Sequence, residues 1–334
     1  MHRRGFACAL GLVALVAGAA RGATPDEAAR LRTREQMGEI FVSMKLLLPL
    51  SMNPEQLAAP EHRVAVTRAL EALEAHADTL ASHAASSDPA RRYLGDSLAA
   101  DARHALARYR EGRVDSAAFL IQQATENCIA CHTKLPSQED APLAQQFVSR
   151  SALAALPPEE RARMLVATRQ FDEALDVFET VFATPGIHPA TMLGSLTDYL
   201  IVSIRVKDDY DRPIPVLEKF AHRPDLWMQL RSDVEQWIAD LRTLRPLRKG
   251  EPSLATARKL VEEANHMDPF PSDHRGLVRY IVASSLLNRF LQARERPPSE
   301  AGEAWYLLGV TELQTGDSFW LSQADFYLET AIRT

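Results

Sequence analysis

Apolar residues return every three or four positions along nearly the whole chain, and no convincing run alternates apolar with polar residues as a half-buried strand would. The pattern therefore predicts an all-α protein. Thr24-Pro25-Asp26-Glu27 carries the marks of a helix start: a hydroxyl cap, proline in the first helical position and Glu27 to close a capping box. The first helix is expected to run to Leu48, with Pro49 as its stop. A second is expected over 61–84, where Val66, Leu70, Leu73 and Leu80 share one face. A third follows from Pro89 to Arg110. Glu111-Gly112-Arg113 then turns the chain, Asp115 caps a fourth helix, and Pro136 lies just past its end. Four helices of about 20 residues with short connections predict an up-down-up-down four-helix bundle over 24–135.

Residues 136–142, "PSQEDAP", carry two prolines and no periodicity, and are read as a linker. Beyond them, over 143–334, the predicted helices are shorter and come in pairs. Ala162, Ala174, Phe178 and Val181 fall at intervals of 12, 4 and 3, placing small residues where two helices cross and large ones between them. Trp305, Leu308 and Gly309 repeat the start of that pattern, and Ala324, Leu328 and Ala331 fit its second helix after an insertion of three residues. This half resembles a degenerate array of tetratricopeptide repeats, whose unit is 34 residues. An irregular helical domain is the alternative, because generic amphipathic helices reproduce such spacings. Further helical segments are expected near 190–206, 212–222, 225–243, 253–266 and 273–293.

Composition changes the picture at the N-terminus. Arg3 and Arg4 precede an apolar run over 6–20, followed by small residues, which is the pattern of a secretory signal over 1–23. The run is shorter than the roughly 20 residues of a membrane span, and no longer one follows. An uncleaved anchor is the alternative. Removing Arg3, Arg4 and Arg21 with no acid takes the net charge from −6 to −9. An acidic chain without a basic stripe excludes ordinary nucleic-acid binding. Of three cysteines, Cys8 leaves with the leader, so a disulfide framework is not expected.

The two remaining cysteines stand in "NCIACH", residues 127–132. A redox pair belongs at a helix start, where the dipole lowers the thiol pKa, whereas Cys128 and Cys131 lie near a predicted helix end. A structural zinc site needs four ligands, and no second cysteine pair exists. Covalent haem needs two thiols for two vinyl groups and a histidine beside them for iron, which Cys128, Cys131 and His132 supply. One covalent haem c, with His132 as proximal ligand, is therefore expected, in a protein exported to the bacterial periplasm.

A haem motif on the last of four helices resembles the class II c-type cytochromes, the cytochrome c prime group, over residues 24–135. The family continues its last helix with an aromatic and a basic residue, whereas this chain reads Thr133-Lys134-Leu135-Pro136. The resemblance implies two iron states: a methionine from the first helix as sixth ligand, or an open face that binds NO or CO. "REQMGEIFVSM" offers Met37 and Met44, seven apart and so on one face. Met37 is the expected distal ligand because it lies nearer the level of His132. Core-filling methionines, an open site and ligation by His83 are the alternatives. His76 and His104 are read as surface or satisfied core residues, and the acidic cluster Asp208-Asp209-Tyr210-Asp211 as a solvated turn. With no nucleophile elbow, phosphate loop or carboxylate pair, electron transfer rather than enzymatic turnover is expected. The repeat half is expected to bind a protein redox partner or a peptide.

Overall fold

A computed structural model describes residues 25–84, 89–134, 136, 154, 156–268, 270, 273–292, 296–315 and 318–334, the side chains at 25–30, 83–84, 91 and 318–323 excepted. The leader, Thr24 and, apart from Pro136, the expected linker lie outside the described residues. Among the described residues there are 14 α-helices and no strand.

The first five are α1 (Pro25–Ser51), the short α2 (Pro54–Ala58), α3 (Arg63–Ala84), α4 (Pro89–Arg110) and α5 (Val114–His132). The four long ones each pack on the next, and α5 returns to α1. Glu74 pairs with Arg103 at 2.7 Å and Glu71 with Arg110, so α3 and α4 run antiparallel. Ile40, Met44, Leu47, Leu70, Leu73, Leu98, Ala117 and Ile121 fill a first core between them. Each large side chain there contributes about 1.5–3 kcal/mol by leaving water. At one end, Asn53 caps α2 and the buried Tyr109 hydroxyl donates to Leu57 O at 3.0 Å, pinning α2 across the helices.

Three helix boundaries differ from expectation. Pro49 lies inside α1, which continues to Ser51. Proline there deprives only the Lys45 carbonyl of its helical donor, and both residues are exposed, so water replaces the missing bond. Asp115 lies in the first turn of α5 and Arg113 holds the cap position, its side chain making no capping bond. Asp115 still favours the helix start by its charge. His132 is the last residue of α5, where Thr133 caps the end by bonding back to Ile129 O.

The remaining helices are α6 (Pro158–Ala167), α7 (Phe171–Ala183), α8 (Leu193–Ile201), α9 (Pro213–Ala221), α10 (Met228–Leu244), α11 (Leu254–Met267), α12 (Leu277–Gln292), α13 (Pro298–Thr315) and α14 (Ser318–Arg333). Most pack as sequential pairs: α6 on α7, α9 on α10, α11 on α12, α13 on α14. Ala162, Ala174, Phe178 and Val181 are all buried where α6 meets α7. At Gly309 a Cβ would stand 2.7 Å from the Leu328 side chain and 3.4 Å from Ala324 O, so glycine permits α13 to cross α14 closely. The pairing is not regular throughout. α8 runs on into a π turn over 202–206, whose fully buried Arg205 meets the fully buried Glu312 of α13 at 3.4 Å. A π turn carries one residue more than the α pattern, which shifts the phase of the side chains beyond it.

These helices share a second core, and its membership crosses the expected boundary. Ala90 and Leu94 of α4, and Ile129 and Ala130 of α5, belong to it. Tyr93 of α4 stacks on Phe326 of α14 with ring centroids 4.6 Å apart. The far ends of α4 and α5 are thus embedded in the C-terminal half.

Candidate functional site

Among the buried residues of α5, Ala117, Ile121 and Ala124 form one stripe at spacings of four and three. Cys128 is the next place on that stripe and His132 the one after, with Cys131 beside them. The two cysteines form no disulfide, are partly exposed and pack against the second core. Cys128 Sγ approaches Ala124 O at 3.6 Å, a weak thiol hydrogen bond to its own helix. Burial, with smaller contributions from Cys131 and Glu126, pushes the Cys128 thiol up to about 12. A redox nucleophile needs the opposite shift, toward thiolate at neutral pH. The pair therefore offers a neutral Cys128 thiol with Cys131 one helical turn further on.

His132 ends α5 with its ring aimed at the neighbouring half of the chain. Its Nδ1 lies 2.7 Å from Ala167 O, the last carbonyl of α6. A carbonyl only accepts, so Nδ1 carries the proton of that bond, and in the neutral ring the lone pair is on Nε2. Burial, and then the nearby Arg169 charge, hold His132 down to about 4, although the Ala167 bond opposes them. The imidazole is therefore neutral at physiological pH. A metal-binding histidine needs this state: one nitrogen fixed by a backbone acceptor, the other with a free lone pair.

A second polar contact braces the same helices. Arg163, one turn before Ala167 on α6, reaches Asp198 of α8 through Nη1 at 2.6 Å and Glu126 of α5 through Nη2. Glu126 is two residues before Cys128, so the clasp grips the motif helix close to the level of the thiols but on its opposite face. Arg163 and Asp198 also line a shallow depression, together with Ile129, Thr133, Val166, Ile201 and Val202. At roughly 100° per residue, this face of α5 is about 150° round from the thiols. Past the helix end, the Lys134 ammonium sits 6.0 Å from the Trp305 ring and 5.8 Å from that of Tyr327.

The other residues singled out by the sequence are scattered. Met44 is buried in the first core, as a filler would be. Met37 is half-buried against that same core, whereas Cys128 and Cys131 pack on the second. His83 lies in the last turn of α3, where its side chain is outside the described residues. His76 shares a 2.7 Å hydrogen bond with Gln36 Oε1, and His104 is exposed. In the acidic turn, Asp209 Oδ1 accepts from the backbone N–H groups of Asp211 and Arg212, while Tyr210 is buried. Among the described residues, no three His, Cys, Asp or Glu side chains gather as a metal site. Nor does any helix among them have the length and apolarity to cross a membrane.

Arg163, Glu126, Asp198 and the Ala167 carbonyl carry no motif, and the sequence pattern did not single them out. Compared with protein-family models, with curated proteins and with solved structures, the chain matches none.

Proposed function

We propose that this chain is an exported monohaem c-type cytochrome that transfers electrons, its first four long helices forming the haem-bearing bundle and its later pairs a degenerate repeat array. The observation that carries the reading is the state of His132: Nδ1 occupied by a backbone carbonyl, Nε2 bearing the lone pair, on the helix that holds two cysteines not joined in a disulfide. The residues fit the group chemically. Cys128 and Cys131 would hold it by thioether bonds, and His132 would ligate the iron. When bound, a haem supplies one-electron chemistry, while the protein supplies ligation, burial and electrostatics.

Burial supports the same end of the bundle. Ile40, Met44, Leu47 and Leu48 are buried on α1, whereas most residues from 31 to 39 are exposed or half-buried. The array would serve to dock a protein redox partner or peptide, since stacked helix pairs present an extended face. Tethering raises the concentration of the haem beside whatever that face holds.

The gas-binding reading, with an open sixth position, draws on Met37, which packs on the first core and not with the thiols. Met37 as sixth ligand would favour the ferrous state relative to a second histidine.

One preparation tests these readings. Protein expressed with a haem-attachment system should keep its colour through acid–acetone extraction and gain the mass of one haem. Cys128→Ala or Cys131→Ala should leave no more than one thioether. Freely extractable colour, or none, rejects the cytochrome reading. The ferrous spectrum with and without CO then separates the two iron states. An unchanged spectrum supports electron transfer through a six-coordinate iron, while immediate CO binding supports the open site.

A further inference from the structure

We propose that the C-terminal end of α6 positions the axial histidine: the Ala167 carbonyl, held against α5 by Arg163, fixes the ring of His132 and tunes its strength as a ligand. This inference rests on the cytochrome reading for its consequence at the iron, although the contact itself belongs to the chain without haem.

The accounting of α6 carbonyls is the first support. The last four carbonyls of a helix lack helical partners. In α6, Met164 O accepts from Thr168 N–H at 3.0 Å, Leu165 O from Gln170 N–H at 2.8 Å and Val166 O from Arg169 N–H at 3.0 Å. The fourth, Ala167 O, takes the proton of His132 Nδ1. The turn that satisfies the first three requires Arg169 in the left-handed region, at φ 61°. A non-glycine residue costs about 1–2 kcal/mol there. Gln170 Nε2 donating to Thr168 Oγ1 at 2.9 Å stiffens the same turn. The α6 terminus is thus a built end aimed at one side chain.

The clasp is the second. Glu126 meets Arg163 and His132 meets Ala167, so α5 and α6 advance side by side in the same sense. Arg163 reaches Glu126 and Asp198 with different guanidinium nitrogens, and Glu126 and Asp198 are both buried. Charge-assisted bonds of this kind are roughly twice as strong as neutral ones. Without them, apolar packing such as that of Ile129 and Val166 would be left to set the distance between His132 and Ala167.

The physical consequence follows from the acceptor. A carbonyl that pulls on Nδ1–H adds electron density to the ring and makes Nε2 a more basic donor, which favours ferric iron. Loosening the contact weakens that donor and raises the potential. Because α6 belongs to the second core, a partner that shifts the array would reach the iron through this bond.

The test uses the full chain, with and without haem, and three forms: wild type, Arg163→Met and Arg163→Lys. In the haem-free wild type, ¹⁵N spectra of His132 should show the proton on Nδ1, with slow solvent exchange. Arg163→Met should speed that exchange by about tenfold, the equivalent of one ordinary hydrogen bond, and Arg163→Lys should restore part of it. In the haem-loaded ferrous protein, Arg163→Met should lower the iron–histidine stretching frequency and raise the midpoint potential. A wild-type His132 protonated on Nε2 overturns the inference whatever the variants do. So does an Arg163→Met chain with exchange and stretching frequency unchanged. Failure to attach haem would sink the cytochrome reading alone, because the exchange measurement still reads the contact.

Discussion

Asp233 of α10 is 2% exposed and stands near two further carboxylates, Asp268 and Asp273. Burial first, and then the repulsion of Asp268, raise its pKa from 3.8 to about 6, although Arg275 and a 3.2 Å bond from Gln229 pull the other way. Between those values the folded state binds more protons than the unfolded one, so this group makes stability fall as pH rises from 3.8 to about 6. Above pH 6 the full cost is present. Asp233→Asn keeps the acceptor for Gln229 and removes the charge, so it should stabilise the chain by about 1–2 kcal/mol at pH 7.5, after allowance for screening. At pH 3.5 it should do almost nothing. Urea titrations at the two pH values check this, and an equal effect at both would remove desolvation as the cause. At this scale the candidate site was half legible. Cys128, Cys131 and His132 announce themselves by spacing, and only side chains can do so. A backbone acceptor 35 residues away has no signature in sequence, and Arg163 resembles any other arginine on an amphipathic helix.

Two glycines show what decides packing between elements. A Cβ on Gly95 of α4 would fall 2.9 Å from the Cα and Cβ of Ala81 and 3.0 Å from its nitrogen, so the α3 backbone itself would have to move. Alanine gains about 1 kcal/mol of helix propensity over glycine, but overpacking against backbone costs about 1–3 kcal/mol or more. Gly95→Ala should therefore destabilise the fold by about 1–2 kcal/mol once both are counted. Gly38 of α1 has nothing within 4 Å of the same atom, so Gly38→Ala should stabilise by up to about 1 kcal/mol. Opposite shifts in thermal midpoint are expected, and shifts of one sign would contradict the close crossing of α3 and α4. Helix existence was readable because Pro25 and Pro89 open helices as proline does. Helix ends were less so: Pro49 is tolerated where α1 meets solvent, and α5 stops at His132, where Thr133 turns back on Ile129.

Across the whole molecule, the two cores meet on α4 and α5. All four tryptophans lie at 227 or beyond, so their fluorescence reads the C-terminal half, while far-ultraviolet circular dichroism reads every helix. Because Ala90, Leu94, Ile129 and Ala130 are buried by the second core, both signals should follow one urea transition. A chain ended at residue 135 exposes those four side chains, and should unfold at lower urea and bind a hydrophobic dye. Two separated transitions in the full chain would show independent halves. The proline-rich stretch at 136–142 marks a break in periodicity, but nothing in local pattern told that the last turns of α5 are claimed by helices that follow. That sharing bears on ancestry. Recombination moves segments as cassettes when their ends are self-sufficient, and a crossover between residues 136 and 142 would hand a new host a bundle whose far end has lost its covering. Ile129 and Ala130, which lie between Cys128 and Cys131 in sequence, would face water beside the cysteines. A substitution in the array that loosens the second core would therefore be felt on the motif helix as well.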